Sequence, residues 1–198
     1  MYDSRGFTLL ETIIVIAVFS IASLMVFGGI NSLYRDHAIA LEQATAIQNA
    51  RTAIEQLATE LRRATQGSDG AYPIESMDPY ALTFYADIAG DNRVERVRYE
   101  LVGEDLVRGV TMPSGSPLSY DLTSEQAATS TADVRNQPLG TPLFRYYDTT
   151  GAEITDMDDV AEVRFVSVRV TININPARLP TDFTLYSSAA LRNLKDNL

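Results

Sequence analysis

Residues 6–34 read GFTLLETIIVIAVFSIASLMVFGGINSLY, and this stretch decides the architecture of the chain. From Thr12 to Tyr34 there is no charged side chain over 23 residues, and 12 of these residues are Leu, Ile, Val or Phe. An α-helix of that length spans about 34 Å, which is enough to cross a hydrocarbon core of about 30 Å. The stretch therefore predicts a membrane-spanning helix with one carboxylate, Glu11, at its entrance.

Other kinds of segment can also carry an apolar run. A cleaved secretory signal has an apolar core of only about 7–15 residues, and a helix buried in a soluble protein usually keeps polar residues along one stripe. An uncleaved membrane anchor fits the run and stays an alternative. Because Arg5 precedes the run and Arg35 follows it, basic residues hardly bias its orientation in the membrane.

The helix is predicted to continue beyond the membrane segment, because residues 31–66 contain neither Gly nor Pro. Apolar residues recur there every three or four positions and form a stripe that another layer can cover. Gly67 is a typical helix stop, so we predict an amphipathic continuation over residues 35–67. The apolar stripe of this continuation consists of Ile47, Ala50, Ile54, Leu57, Leu61 and Ala64.

Inside the apolar run of the membrane segment, Gly28 and Gly29 serve either close helix packing or bending.

After Gly67, short β-prone runs alternate with turn residues, which predicts an antiparallel β-sheet globular domain over residues 68–198. Residues 112–142 are rich in Pro and Gly and are predicted to form a long surface loop, with a short helix near Thr123–Thr129. The helix stripe and one sheet face each need an apolar partner, so the fold class is α+β, a long N-terminal helix packed on an antiparallel sheet. Strands are predicted around Leu82–Ala86, Val97–Leu101, Leu106–Val110, Leu143–Tyr147, Val163–Ile174 and Phe183–Tyr186.

The sequence GFTLLE at residues 6–11, followed directly by the apolar run, resembles the N-terminal segment of the type IV pilin-like superfamily. That superfamily comprises pilins, minor pilins and the pseudopilins of type II secretion. The resemblance implies that prepilin peptidase removes a leader, residues 1–6, by cutting between Gly6 and Phe7, and that the new Phe7 α-amine is N-methylated. It also implies a pilin-like fold with a transmembrane and assembly helix over residues 7–34.

Glu11 is the residue of this helix whose chemistry needs an explanation, since a carboxylate inside hydrocarbon is costly. It lies one helical turn from Phe7 on the same face, and a freed α-amine is mostly cationic at neutral pH. We therefore predict that Glu11 pairs with the Phe7 amine of its own or of a neighbouring subunit and sets the register of assembly. Snorkelling toward the membrane interface is the alternative role for Glu11.

Four segments of the sheet region are similar in pattern and order to the J-type minor pseudopilins of type II secretion and to the W-type minor pilins. These segments are Phe84–Asp87, Arg96–Tyr99, Phe144–Asp148 and Ala190–Leu194. The similarity implies a low-abundance subunit, in the tip or initiation complex of the filament rather than in its shaft. The J-type is the favoured assignment.

The sequence offers little for catalysis, so we predict that the chain is not an enzyme and uses no cofactor. It has no cysteine, no nucleophile motif and no phosphate loop, and its only histidine, His37, lies just past the membrane segment. An acidic loop offers weak calcium candidates, but it lacks the glycine and the final acid of an EF-type loop, and a polar turn is favoured. The candidates are Asp87, Asp91, Asn92 and Glu95.

The formal charge of −10, from 26 acidic and 16 basic residues, disfavours nucleic acid as a partner. The arginines of the predicted hairpin are expected to form cross-strand ion pairs with its glutamates. These arginines are Arg93, Arg96, Arg98 and Arg108, and the glutamates are Glu95, Glu100 and Glu104.

The resemblance implies a single-pass inner-membrane protein with an outward C-terminal domain, which later joins a periplasmic or cell-surface filament. The expected partners are other pilin or pseudopilin subunits, prepilin peptidase, the inner-membrane assembly platform, and membrane lipid before assembly. Two alternatives stay open. One is a minor pilin for adhesion or DNA uptake, and the other is a membrane-anchored domain that never polymerises.

Overall fold

In the part of the chain that the structure describes, a single long α-helix precedes all the β-strands. The computed structural model describes residues 8–177, apart from the side chain of residue 36, and residues 181–191. Helix α1 spans Leu9–Arg62. Contacts within the chain divide the whole chain into two compact units, Met1–Glu42 and Gln43–Leu198. The strands are β1 Ile74–Met77, β2 Ala81–Ala86, β3 Glu95–Val102, β4 Asp105–Thr111, β5 Pro113–Ser114, β6 Ser119–Tyr120, β7 Gln126–Thr131, β8 Phe144–Tyr147, β9 Glu153–Ile154, β10 Phe165–Ile172 and β11 Phe183–Ala190.

The first unit is the apolar part of α1. Its large hydrophobic side chains are exposed within the chain, with Leu9 81%, Phe27 72% and Tyr34 74% accessible. By length and composition, α1 includes a segment that is able to cross a membrane, and that segment has no protein cover. Apolar side chains that are exposed on all sides of a helical segment require lipid or another protein as their environment.

The second unit is built from the remainder of α1 and two antiparallel sheets. The strand order is β1-β2-β3-β4-β7 in the first sheet and β11-β10-β8-β9 in the second, and β5 and β6 form a separate pair. The predicted α+β class, a long N-terminal helix with an antiparallel sheet domain, is confirmed.

The core lies where the apolar stripe of α1 meets both sheets. Ala50, Ile54, Leu57, Leu61 and Ala64 are buried as the helical spacing predicted, and Ile47 is partly buried. Strand β10 alternates as a half-buried strand should, because its even-numbered positions from 166 to 172 have no exposed surface. The largest fully buried side chains are Tyr99, Tyr146, Phe84 and Phe144.

Helix α1 ends at Arg62, several residues before the stop predicted at Gly67. Ala64 instead forms a β-bridge with Ala86, and the Thr65 N–H donates to the Tyr85 carbonyl at 2.9 Å. The backbone therefore leaves the helix because strand β2 offers a partner for its hydrogen bonds. The helix propensities of residues 63–66 do not predict this helix end, because the strand that supplies the hydrogen-bond partners, β2, is distant in sequence.

The stretch predicted as a long loop, residues 112–142, contains β5, β6, β7 and a 3-10 turn at Leu122–Ser124. The short helix predicted near Thr123–Thr129 is wrong, because residues 126–131 pair with β4. That pairing satisfies the backbone groups along the edge of β4, which a helix would leave without partners. Tyr120 anchors the excursion, since its hydroxyl donates to the Val94 carbonyl at 2.7 Å and accepts from the Ser68 N–H at 2.9 Å.

Candidate assembly site

The start of α1 is held by Thr8. Its hydroxyl oxygen accepts a hydrogen bond from the Glu11 N–H at 3.3 Å, and its carbonyl accepts from the Thr12 N–H at 3.1 Å. Thr8 is therefore the N-cap of the helix, and it satisfies one of the donors that a helix start leaves free. Our sequence reasoning missed this residue, although the spacing Thr-x-x-Glu from Thr8 to Glu11 is a known signature of a helix start.

Glu11 lies in the first turn of α1, where a negative charge is favoured by the positive end of the helix dipole. Gly6 and Phe7, the predicted cleavage and methylation residues, lie outside the described residues. The pairing of the Phe7 amine with Glu11 therefore stays a prediction. The position of Glu11 at the helix start agrees with either predicted role, snorkelling or pairing, because both need a carboxylate near the end of the apolar run.

The apolar surface beyond Glu11 is a candidate contact region. Its 12 Leu, Ile, Val and Phe residues favour insertion into a membrane by about 4–7 kcal/mol in total. Gly28 and Gly29 lie within it, and a Cβ added at either position would meet no atom of the chain within 4 Å. A close approach that needs these glycines would therefore have to come from another molecule.

In the second unit, Glu60 attaches α1 to the first sheet. Its carboxylate accepts hydrogen bonds from Arg108 Nη2 at 2.7 Å, the Tyr99 hydroxyl at 2.8 Å and Gln56 Nε2 at 2.9 Å. Glu60 is only 7% exposed, so these donors replace the hydrogen bonds to water that its carboxylate loses on burial. Burial, followed by the nearby charge of Glu60, raises the pKa of Tyr99 far above its ordinary value, which keeps its hydroxyl a donor.

Two buried amides organise the second sheet. The Gln43 amide on α1 donates to the Ile172 carbonyl at 3.3 Å and accepts from the Ile174 N–H at 3.1 Å. The Asn136 side chain donates to the Arg169 carbonyl at 2.7 Å and accepts from the Thr171 N–H at 2.8 Å. Both amides therefore act as partners for the backbone of β10.

The arginines of the β3–β4 hairpin do not pair as predicted. Arg96 Nε contacts Glu75 at 2.6 Å, Arg98 Nη2 contacts Glu125 at 2.8 Å, and Arg108 reaches Glu60 on the helix. Of the predicted pairs, the structure shows only Arg98 with Glu100, a neighbour on the same strand. The reason is the strand register, which sets Arg96 opposite Thr111, Arg98 opposite Gly109 and Arg108 opposite Tyr99.

Gly109 has a role in this arrangement. A Cβ built at this position would overlap the carboxylate of Glu125, which crosses β4 to reach Arg98. The paired carboxylate keeps its charge, because the hydrogen bond from Arg98 holds the pKa of Glu125 below its ordinary value. This outer face of the first sheet is consequently occupied by ion pairs within the chain.

The calcium candidates form a polar turn between β2 and β3. Asp87 Oδ1 accepts from the Gly90 N–H at 2.6 Å and Oδ2 accepts from the Asn92 N–H at 3.1 Å, while Asp91 Oδ1 accepts from the Arg93 N–H at 3.0 Å. Glu95 is fully buried and accepts from the Ile88 N–H at 3.0 Å. Across the described part of the chain, no group of three or more His, Cys, Asp or Glu residues is placed to hold a metal ion.

Comparison with known protein families finds a match, over residues 1–27, to a family model described as the prokaryotic N-terminal methylation motif. No curated protein matches the chain in a sequence comparison. The motif supports the pilin-like superfamily, in which the N-terminal segment serves structure and assembly rather than catalysis. It implies processing by prepilin peptidase, anchoring in a membrane by the apolar helix and assembly with other pilin subunits. The chain thus has the N-terminal motif and the α+β fold of a processed pilin-like subunit.

Proposed function

We propose that the chain is a minor pilin-like subunit, of the J-type in a type II secretion pseudopilus, that works in the tip or initiation complex of the filament. The single observation behind this proposal is the exposed, uncharged apolar run of α1 that follows Glu11 and begins within the matched methylation motif. The J-type assignment is supported further by the four sheet segments named above. A type IV pilus is the other filament in which such a subunit would serve.

Assembly in this proposal begins with cleavage between Gly6 and Phe7 and methylation of the Phe7 amine. The mature helix then leaves the bilayer and packs against the helices of neighbouring subunits. An unpaired Glu11 carboxylate would resist transfer into a dry helix bundle, whereas a carboxylate matched to a Phe7 amine would be tolerated. In this way Glu11 selects the register in which one subunit lies against the next.

The negative charge of the chain bears on the alternatives. A net charge of −10 repels the phosphate backbone, which counts against a DNA-uptake pilin. An adhesive minor pilin and a non-polymerising membrane-anchored domain differ from our proposal in what happens after insertion. Processing and filament incorporation therefore separate these functions.

The test replaces Glu11 by Ala in the native host, with Glu42→Ala as the matched control. Glu42 is an exposed acid on the same helix, outside the apolar run. We expect both variants to be processed to a methylated Phe7 start, as read by intact-protein mass spectrometry. Only Glu11→Ala should fail to enter sheared filaments, with a loss of about tenfold or more, because its register pair is absent. Normal incorporation of Glu11→Ala would refute the assembly role.

The processing measurement also tests the wider proposal. Mature protein that still includes residues 1–6 would favour an uncleaved anchor over a pilin-like subunit. Mature protein that is processed but absent from every filament fraction, with no effect of its deletion on secretion, would favour the domain that does not polymerise.

A further inference from the structure

The second sheet has one open face. Positions 166, 168, 170 and 172 of β10 point into the core, so positions 165, 167 and 169 point away from it, whereas Thr171 at the end of the strand is buried. The strand register sets Phe165 opposite Tyr147, and Arg169 opposite Tyr186. Arg145 of β8 lies on the same side. We call the surface formed by Arg145, Tyr147, Phe165, Arg169 and Tyr186 the outer face of the second sheet.

The composition of this outer face differs from that of the chain as a whole. It has three aromatic residues and two arginines, whereas acidic residues exceed basic residues by ten in the full sequence. Tyr, Phe and Arg are enriched in protein–protein interfaces and dominate their binding energy, while Asp and Glu are depleted there. One carboxylate lies on this face, Glu153 of β9, which is opposite Tyr147 in the strand register and 3.6 Å from Arg145.

The side chains of this outer face are ordered before any partner arrives. The Arg169 guanidinium lies over the Tyr186 ring, 5.6 Å from its centroid, and the Tyr147 and Phe165 rings meet edge to face at 5.8 Å. Tyr186 is nevertheless 68% exposed and Phe165 36% exposed. Stacked side chains lose little entropy on binding, so the apolar area that they leave in solvent is available to a partner at low cost.

Arg169 has no carboxylate partner within 4 Å among the residues that the structure describes, and its Nε atom is buried without a hydrogen-bond acceptor there. By contrast, Arg96, Arg98 and Arg108 of the first sheet are all paired with glutamates. An arginine held in place on a ring and lacking a counter-ion is suited to a carboxylate that another molecule supplies.

We propose that the outer face of the second sheet docks the head domain of a different pilin-like subunit, whose contact surface presents carboxylates to Arg169 and Arg145. The inference rests on the proposed function and adds the partner surface to it. A face-to-face contact with a second copy would set arginine against arginine, so a different subunit is favoured over a symmetric dimer. Nucleic acid is disfavoured by the charge of the rest of the chain.

The experiment places the photo-crosslinker p-benzoylphenylalanine at position 186 of the full chain in its native host. The control position is Val102, which is 56% exposed and lies in the first sheet. We expect illumination to yield a crosslinked product from position 186 but not from position 102. Mass spectrometry should identify the crosslinked protein as one that has its own N-terminal methylation motif.

Charge reversal completes the test. Arg169→Glu should reduce the crosslinked product about tenfold or more, because it sets a carboxylate against the partner's carboxylates. Since Arg169 is partly buried, Arg145→Glu gives a second readout at an exposed position and should also reduce the product. A carboxylate-to-arginine substitution at the partner's crosslinked segment should restore the product with Arg169→Glu.

The inference is overturned by a product with a second copy or with lipid, by no product at all, or by a product that neither charge reversal diminishes. These failures are distinguishable from failure of the proposed function, because processing at Phe7 and the effect of Glu11→Ala are measured on the same chain. A processed subunit that enters filaments and gives no crosslink from position 186 would refute only the docking surface.

Discussion

At the scale of single residues, a buried polar group without a full set of hydrogen-bond partners is a site where a substitution can change stability. Glu95 is the clearest case. It has no exposed surface, one oxygen accepts from the Ile88 N–H, and Oε1 has no hydrogen-bond partner among the described residues. Burial, reinforced by the charges of Asp91 and Asp87, raises the pKa of Glu95 above its ordinary value of 4.5.

Replacing Glu95 by Gln should therefore stabilise the head domain at neutral pH. The folded state binds a proton at Glu95 more readily than the unfolded state does, so the stability contributed by this group is fully present below pH 4.5 and is lost as the pH rises through the folded-state pKa. Gln has no charge to bury and keeps an oxygen for the Ile88 N–H. We expect a gain on the order of 1 kcal/mol at pH 7.5.

The measurement is urea unfolding of the full chain in detergent micelles, followed by circular dichroism at pH 5 and pH 7.5. The difference between the two proteins should shrink at the lower pH. Carboxylates that do not interact with Glu95 contribute equally to both proteins and cancel in that difference. A gain that is equal at the two pH values would contradict the assignment of the effect to Glu95 ionisation.

At the scale of elements, the attachment of α1 to the first sheet combines an apolar stripe with one ionic cluster. The stripe residues from Ala50 to Ala64 are buried in the core. The Glu60 cluster fixes how the helix lies along β3 and β4, because its donors come from Tyr99 and Arg108 on those two strands. Polar contacts of this kind contribute more to fixing how a helix lies on a sheet than to the free energy of unfolding.

Replacing Glu60 by Ala should cost about 3–5 kcal/mol, because the substitution leaves Arg108 as an uncompensated, partly buried charge. Glu55→Ala is the matched control, since Glu55 is an exposed acid on the same part of the helix. Urea unfolding of the two variants in micelles gives the comparison. Glu60→Leu combined with Arg108→Leu should recover much of the loss, and equal costs for Glu60→Ala and Glu55→Ala would disprove the role of the cluster.

Substitution of the glycine pair in α1 should affect the stability of the helix and the assembly of the subunit in opposite directions. The chain leaves open space around Gly28 and Gly29, so Ala at both positions should raise helix content in micelles, with a gain of about 1 kcal/mol for each residue in helix propensity. In filaments, the same double variant should be incorporated less well, because either close packing or bending needs the glycines. Ser23→Ala is the control. Full incorporation of the double variant would rule out both roles.

At the scale of the whole molecule, the two units pose different physical problems. The second unit buries its own core, whereas the apolar side chains of the first unit remain exposed. The first unit therefore requires lipid or another protein as its environment. Core packing and buried polar contacts stabilise the head, and the sequence has no cysteine that could add a disulfide.

Membrane retention provides the test at this scale. The wild-type chain should stay in the membrane pellet after alkaline carbonate extraction, since its apolar run favours insertion by about 4–7 kcal/mol. Ile16→Lys with Ile21→Lys should release it, because each buried lysine costs about 2.5–3.5 kcal/mol. The control, Val102→Lys with Leu139→Lys, adds the same charge at exposed positions of the head and should remain in the pellet. Retention of the first variant would show that this segment is not the anchor.

The amino-acid sequence by itself determined the long helix, the position of Glu11 at its start, the buried stripe from Ala50 to Ala64 and the alternation of β10. Each of these follows from local spacing or from hydrophobic periodicity, which a single strand or helix shows without its neighbours. The N-cap at Thr8 was also readable from its spacing to Glu11, although we did not predict it.

Only the tertiary structure decided where α1 ends, that residues 126–131 extend the first sheet, and which glutamate pairs with each arginine. All three depend on partners distant in sequence: Ala86 for the helix end, β4 for the added strand, and Glu60 for Arg108. Backbone groups and charges take the partner that the assembled core places within reach, and the sequence order of the residues does not show which partner that is.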